Sequence, residues 1–222
     1  MTQFKAVLFD LDGTLADTAP ALGLALNMQR ERHGLPPLPI STIRPYASHG
    51  SRGLLEIGFG MAPDHDDYEA MRYEYLVLYD QVFTESPLLF EGISEVLDAL
   101  EQRRIRWGIV TNKPRRFTMP LMKALKLHKR AACIVSGDDA ARPKPYPDPL
   151  LMACDIARIR PEACLYVGDA ERDIKAGREA GMQTAVACYG YLGQQDQPLE
   201  WGAQLMIDSP LELLERVSGP GA

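Results

Sequence analysis

Five short apolar runs constrain this chain more than any other feature: KAVLF (5–9), RWGIVT (106–111), AACIV (131–135), CLYVG (164–168) and TAVAC (184–188). Each is rich in β-formers and almost unalternating. A strand with one wet face alternates apolar and polar residues, whereas a strand covered on both faces does not. Helical periodicity fills the gaps. ISEVLDALEQRR (93–104) puts Ile93, Val96, Leu97 and Leu100 on one stripe. The segments 116–127, 148–157, 171–180 and 209–217 repeat that pattern, with Pro120 obscuring the start of the first of them. Strands alternating with helices imply an α/β fold with a parallel sheet and right-handed crossovers.

One interval breaks the alternation. Most of the chain between the first run and RWGIVT reads as helix: APALGLALNMQRERHG (19–34), stopped by Gly34 before the Pro-rich LPPLP, then SRGLLEIGF (51–59) and DHDDYEAMRYEYLVLYDQVF (64–83). The expected organisation is a Rossmann-like parallel sheet core, residues 1–15 and 88–222, interrupted by a helical cap domain, residues 16–87. Hinges are expected near 15–18 and 84–91, and the terminal SGPGA as a loose tail.

Charge and cysteine usage narrow the function classes. With 24 Lys and Arg against 30 Asp and Glu, the net charge is −6, so no basic footprint for nucleic acid or an anionic membrane is present. No run approaches a membrane span, and no apolar stretch near the N-terminus is long enough for a signal peptide. Cys133, Cys154, Cys164 and Cys188 lack C-x-x-C spacing and read as buried apolar residues in a reducing, cytoplasmic compartment. The expected partner is a small molecule, the expected assembly a monomer or homodimer.

In an open α/β sheet, ligands sit beyond the carboxyl ends of the strands. Those ends carry Asp10 and Asp12 (FDLDGTLADT), Thr111-Asn112-Lys113, Lys144 in RPKPYPDP, and Asp169 and Asp173 in GDAERD. Clustered carboxylates repel unless a cation holds them. Hard oxygen ligands around an open position suit Mg²⁺, which leaves room for a substrate phosphate. Lys144 can balance a carboxylate and grip a phosphoryl oxygen. One carboxylate can attack phosphorus to form an aspartyl-phosphate, and a second can protonate the leaving alkoxide and then activate water.

The ordered set D-x-D-G-T, a strand-end Thr, a later Lys and G-D-x-x-x-D resembles the haloacid dehalogenase superfamily, across the whole chain and including the helical insertion. That resemblance implies Asp10 as nucleophile, Asp12 as general acid/base, Thr111 as a phosphoryl hydrogen-bond donor and Lys144 as a charge neutraliser. It implies Mg²⁺ held by the Asp10 side chain, the Asp12 backbone carbonyl and Asp169, with Asp173 supporting them. Backbone amides around Leu11 and Asn112 would donate to the phosphoryl oxygens. Asp17 and Thr18 fit either a substrate or gating role or the cap of the helix that follows. Asp173 fits either the site or an ordinary helix first turn.

Within the superfamily, Asp12 argues against a dehalogenase, which needs no proton for its leaving group. Thr14 and Leu22 stand where sugar-phosphate mutases usually carry Val or Ile and His. TNKP (111–114), YGY (189–191) and WGAQLMIDSPLEL (201–213) resemble phosphoglycolate phosphatases and relatives acting on N-acetylmuramic acid 6-phosphate. A mutase, or a silent phosphate-binding protein on the same fold, is the alternative. In YASHGSRGLL (46–55), Gly50 permits a tight turn, Ser51 can cap the helix that follows and Arg52 at its N-terminus can take an anion, so all three are candidate substrate contacts; an exposed arginine on an ordinary helix fits Arg52 equally well. Asp10→Asn is expected to abolish turnover with the fold intact, because an amide does not attack phosphorus. Phosphate release by the pure variant, with its circular dichroism as control, checks this.

Overall fold

The computed structural model describes residues 4–217. The SGPGA stretch lies outside them. In chain order come β1 (Ala6–Phe9), α1 (Ala19–Arg32), α2 (Ile40–Ile43), α3 (Gly50–Phe59), α4 (Tyr68–Val82) and α5 (Ile93–Gln102). There follow β2 (Arg106–Val110), α6 (Arg115–Ala124), β3 (Ile134–Val135), α7 (Asp148–Ala157) and β4 (Cys164–Gly168). The last are α8 (Glu171–Glu179), β5 (Gln183–Ala187), β6 (Leu205–Ile207) and α9 (Leu213–Arg216).

The strands form one parallel sheet in the order β3-β2-β1-β4-β5-β6. The unalternating runs have the physical cause expected of them. On β1, Val7 and Phe9 join the apolar cluster that contains Ile93, Val96, Leu97 and Leu100 of α5. Ala6 and Leu8 point the other way, into the cluster with Leu150, Ala153 and Cys154 of α7. Both faces are covered, so neither can carry polar residues. Cys133, Cys154 and Cys164 are buried as expected, while Cys188 is only half-buried.

Three expectations need correction. β3 is two residues long, not the whole of 131–135: only Ile134 and Val135 pair in register with β2, although Ala132 N still donates to Trp107 O at 2.8 Å and Cys133 O accepts from Ile109 N at 2.9 Å. β6 was not expected: three residues that pair with β5 at the sheet edge are too short and too exposed, at Met206, to leave a periodic signal. α6 starts at Arg115, directly after Pro114, and carries Pro120 inside it.

The helices between β1 and α5 pack on one another. Gln29 Nε2 on α1 donates to the Met71 carbonyl of α4 at 2.8 Å, and the Arg30 guanidinium donates to the Gly58 carbonyl of α3. A side chain at Gly58 would meet Leu26 at 2.6 Å, so the glycine is what lets α3 lie against α1. Two connections join this helical segment to the sheet, and they run side by side. Asp17 N donates to Leu88 O at 2.9 Å and Phe90 N donates to Leu15 O at 3.2 Å. Among the described residues no helix is long and apolar enough to cross a membrane.

Leu26 is fully buried between these helices. Leu26→Ala is expected to destabilise the protein by about 2–5 kcal/mol, the usual range for a buried leucine that leaves a cavity. Urea unfolding checks it, with a lowered midpoint at an unchanged slope.

Candidate active site

The strand order creates the site. From central β1 the chain builds outwards to β2 and β3 on one side and to β4, β5 and β6 on the other. Crossovers therefore diverge at the carboxyl end of β1, leaving a crevice there. Asp10 is the first residue past β1, Thr111 the first past β2 and Asp169 the first past β4. Asp10 N still donates to Val167 O at 2.8 Å, so the strand ladder itself sets its position.

Asp10, Asp169 and Asp173 are all buried, and each offers a carboxylate oxygen within 4.8 Å of the others'. The Lys144 ammonium, itself fully buried, lies 2.9 Å from Asp10 Oδ1 and 2.7 Å from Asp173 Oδ1. It also donates to the Val110 carbonyl at 2.9 Å and to Tyr166 Oη at 2.8 Å. Tyr166 Oη in turn donates to the same carbonyl at 2.8 Å. Asp173 sits in the first turn of α8 and accepts from Ala170 N at 3.1 Å, so its helix role and its place in the site hold together.

Positive charge falls short of what these acids need. Burial pushes Asp10 upward, and Lys144 only partly opposes that. Asp169 is pushed up to about 7, first by burial and then by Asp10 and Asp173. Arg172, half-buried beside them, keeps its charge against burial because Asp173, Asp10 and Asp169 favour it. Three buried carboxylates still repelling one another, all hard oxygen donors, fit a divalent cation of the Mg²⁺ kind.

A family model for haloacid dehalogenase-like hydrolases matches residues 7–187. The chain belongs to that family. It is 42% identical over 211 residues to the N-acetylmuramic acid 6-phosphate phosphatase of Pseudomonas putida, covering 95% of each chain. It is 40% identical over 216 residues to the phosphoglycolate phosphatase of Xanthomonas campestris pv. campestris, covering 97% of each. The solved structure of a haloacid dehalogenase-like family hydrolase from Streptococcus pneumoniae matches with a TM-score of 0.81 at 26% identity, over 97% of this chain and 99% of that one. With relatives of this identity and span named as phosphatases, the haloacid dehalogenase-like hydrolase described here is a phosphatase.

In this hydrolase the remaining sequence candidates divide. Leu11 N donates to Asp10 Oδ1 at 2.8 Å. Thr111 is buried, and its Oγ1 accepts from Lys113 N at 3.1 Å. The Asn112 side chain spans the loops, donating to Lys144 O at 2.9 Å and accepting from Lys144 N at 2.9 Å. Asp12 turns its side chain away from the three acids and pairs with Lys113 instead, at 3.0 and 3.2 Å. Thr18 does not cap α1 with its side chain; it donates to Asp12 Oδ1 at 2.6 Å. The first amide of α1, Ala19 N, donates to Tyr191 Oη at 2.8 Å. Asp17 accepts from Tyr191 Oη at 2.9 Å and from Arg44 at 3.1 Å.

The stretch around Gly50 departs from expectation. Gly50 does adopt a positive φ of 59°, but α3 begins at that glycine and not at Ser51. Arg52 is exposed on its first turn. The side chain from this stretch that reaches the carboxylates is Ser48, whose Oγ donates to Asp169 Oδ2 at 2.7 Å, while Arg172 donates to Ser48 O at 2.8 Å. Ser48, Tyr166, Arg172 and Tyr191 were not expected in the site, and Lys113, named at the end of β2, was given no role there. The one sequence signal available for Tyr166 was its place on an inner strand, two residues before the turn that bears Asp169.

The raised Asp169 gives a pH dependence of definite sign. An acid with a folded value near 7 and an unfolded value near 3.8 binds its proton in the native state first, so stability rises as pH falls through that window. Asp10 is shifted in the same direction. Chelator-treated protein is expected to melt at higher temperature at pH 5.5 than at pH 8, each kcal/mol being worth roughly 2–4 °C. Asp169→Asn is expected to weaken that response, read by calorimetry across the series.

Proposed function

We propose that the protein is a Mg²⁺-dependent phosphomonoester hydrolase that works through an aspartyl-phosphate on Asp10. The observation that carries this is the division of labour among the acids. Asp10 sits with Asp169, Asp173 and Lys144, while the Asp12 side chain stands apart beside Lys113. An attacking carboxylate belongs where phosphorus is held. A proton-transfer carboxylate belongs on the leaving-group side.

In this reading an Asp10 oxygen attacks phosphorus and the ester P–O bond breaks, with Asp12 giving its proton to the departing alkoxide. Asp12 then takes a proton from the water that attacks the aspartyl-phosphate, releasing inorganic phosphate and restoring Asp10. Lys144, Thr111 and the amides near Leu11 and Asn112 hold the phosphoryl oxygens. The side chains of Asp10 and Asp169 and the Asp12 backbone carbonyl would hold Mg²⁺, with Asp173 supporting them, and the ion when bound supplies charge neutralisation for the phosphoryl group. Residues 16–87 serve as a cap over the core formed by the rest of the chain.

The substrate class is a small phosphorylated acid or sugar, such as 2-phosphoglycolate or N-acetylmuramic acid 6-phosphate. The names of the relatives and their coverage of nearly the whole chain support it. A phosphate-release screen over such compounds with Mg²⁺ is the test, with both named substrates included. Turnover of at least one of them, lost with a chelator and regained with Mg²⁺, is expected. Hydrolysis of none, nor of a generic aryl phosphate, sinks the proposal. Asp12→Asn is expected to slow turnover of an alkyl phosphate by ~10²–10⁴-fold, the usual worth of a general acid/base group.

A further inference from the structure

Lys113 has no part in the chemistry above, yet its side chain is nearly buried, at 6% exposure, and its ammonium is fully engaged. Nζ lies 3.0 and 3.2 Å from the two carboxylate oxygens of Asp12 and donates to Tyr79 Oη at 2.8 Å. The Lys113 backbone is pinned as well. Its amide donates to Thr111 Oγ1 at 3.1 Å, and its carbonyl accepts from Thr118 Oγ1 at 3.0 Å and from Gly137 N at 2.9 Å. The root of the side chain is therefore fixed to the end of β2, and its tip is fixed to a tyrosine of α4.

That tyrosine is wedged in turn. Its ring packs at 5.3 Å from Phe83 and at 5.2 Å from Phe117 of α6. An ammonium taken out of water is costly unless nearly every donor is used. Here it is used on one carboxylate and on the brace that holds the ammonium in place. Asp12 has a second donor in Thr18, at 2.6 Å, and the two donors together leave its carboxylate little rotational freedom.

We propose that Lys113, braced by Tyr79, is a positioning residue for the reaction: it aims the Asp12 carboxylate along the path of the leaving group and of the attacking water. This rests on the acid/base reading of Asp12. A carboxylate free to rotate makes a poor proton donor even with every reacting group present, because orientation is a large part of what an active site supplies.

Lys113→Met removes the ammonium and keeps most of the length. With p-nitrophenyl phosphate the first step needs no proton, so stopped-flow traces of this variant are expected to show a burst near one equivalent of nitrophenolate per site. Steady turnover after the burst is expected to fall roughly 10–100-fold, with KM within about threefold. The burst also counts intact sites, which a general loss of structure would reduce. In an Asp12→Asn background Lys113→Met is expected to add nothing, since two residues acting through one group are non-additive.

An unchanged kcat, an equal penalty in the Asp12→Asn background, or a KM increase confined to acidic substrates would overturn the proposal. The last of these would make Lys113 a receptor for a substrate carboxylate. If Lys113→Met does not fold, Tyr79→Phe decides, since it keeps the ring packing and removes only the hydroxyl. A smaller kcat loss, roughly 3–10-fold and absent from the Asp12→Asn background, supports the proposal, and an unchanged kcat overturns it. If Asp12→Asn alone leaves alkyl phosphate turnover intact, the acid/base reading itself falls and this proposal with it. If that variant is impaired while Lys113→Met is not, only the present proposal falls.

Discussion

An ammonium group buried between two carboxylates sets the terms for the rest of the molecule. Lys144 reaches Asp10 after β1, Val110 at the end of β2, Tyr166 on β4 and Asp173 on α8. These groups come from four separate elements, and they surround one nitrogen only if the strands lie in the observed order. A buried charge lacking any of them is costly, of order several kcal/mol, so the same contacts that make the site reactive also penalise other arrangements of the sheet. The local dielectric is low because α5 and α7 cover both faces. The shielding that holds the core together is thus also what makes each of these contacts strong.

Much of this could be read from the sequence, for identifiable reasons. Strands buried on both faces leave an unalternating signature, and the residue just past such a strand stands at the ligand rim in any open parallel sheet. Asp10, Thr111 and Asp169 could therefore be placed from their positions alone. Asp173 needed a second argument, since the first turn of a helix explains an acid without any site, and the structure shows both uses in one side chain. The long helices were legible from their stripes. β6 was not, because three edge residues carry too little pattern to rise above a loop.

The residues that escaped notice share one trait: their roles depend on partners distant in sequence. Lys113 lies inside the TNKP stretch at the end of β2, but nothing local distinguishes a lysine that will be buried from one that will be solvated. Its partner Tyr79 lies 34 residues away, on a helix whose aromatic face reads as ordinary core. Ser48 and Arg52 show the same problem in reverse. Arginine at a helix start is the stronger local signal for an anion site, but the 3₁₀ turn before α3 delivers the serine to Asp169 and leaves the arginine in solvent. Thr18 has the composition of a helix cap, and a tyrosine from beyond β5 does the capping instead.

The two connections between the sheet and the helical segment act as one mechanical element. Asp17 is tied to Leu88 and Leu15 to Phe90, with Ala16 facing Leu89 in an antiparallel bridge. A single linker can swivel about its own bonds in many directions. Two linkers stitched together form a short ribbon, stiff to stretching and to shear within its plane and compliant only to bending across it. Of the covalent connections alone, this ribbon leaves α1–α4 one easy bending axis relative to the sheet, close to Ala16 and Leu89. Tyr79 on α4 and Ser48 before α3 both belong to that helical segment, so their contacts at Lys113 and Asp169 brace the ribbon against the very bending it permits.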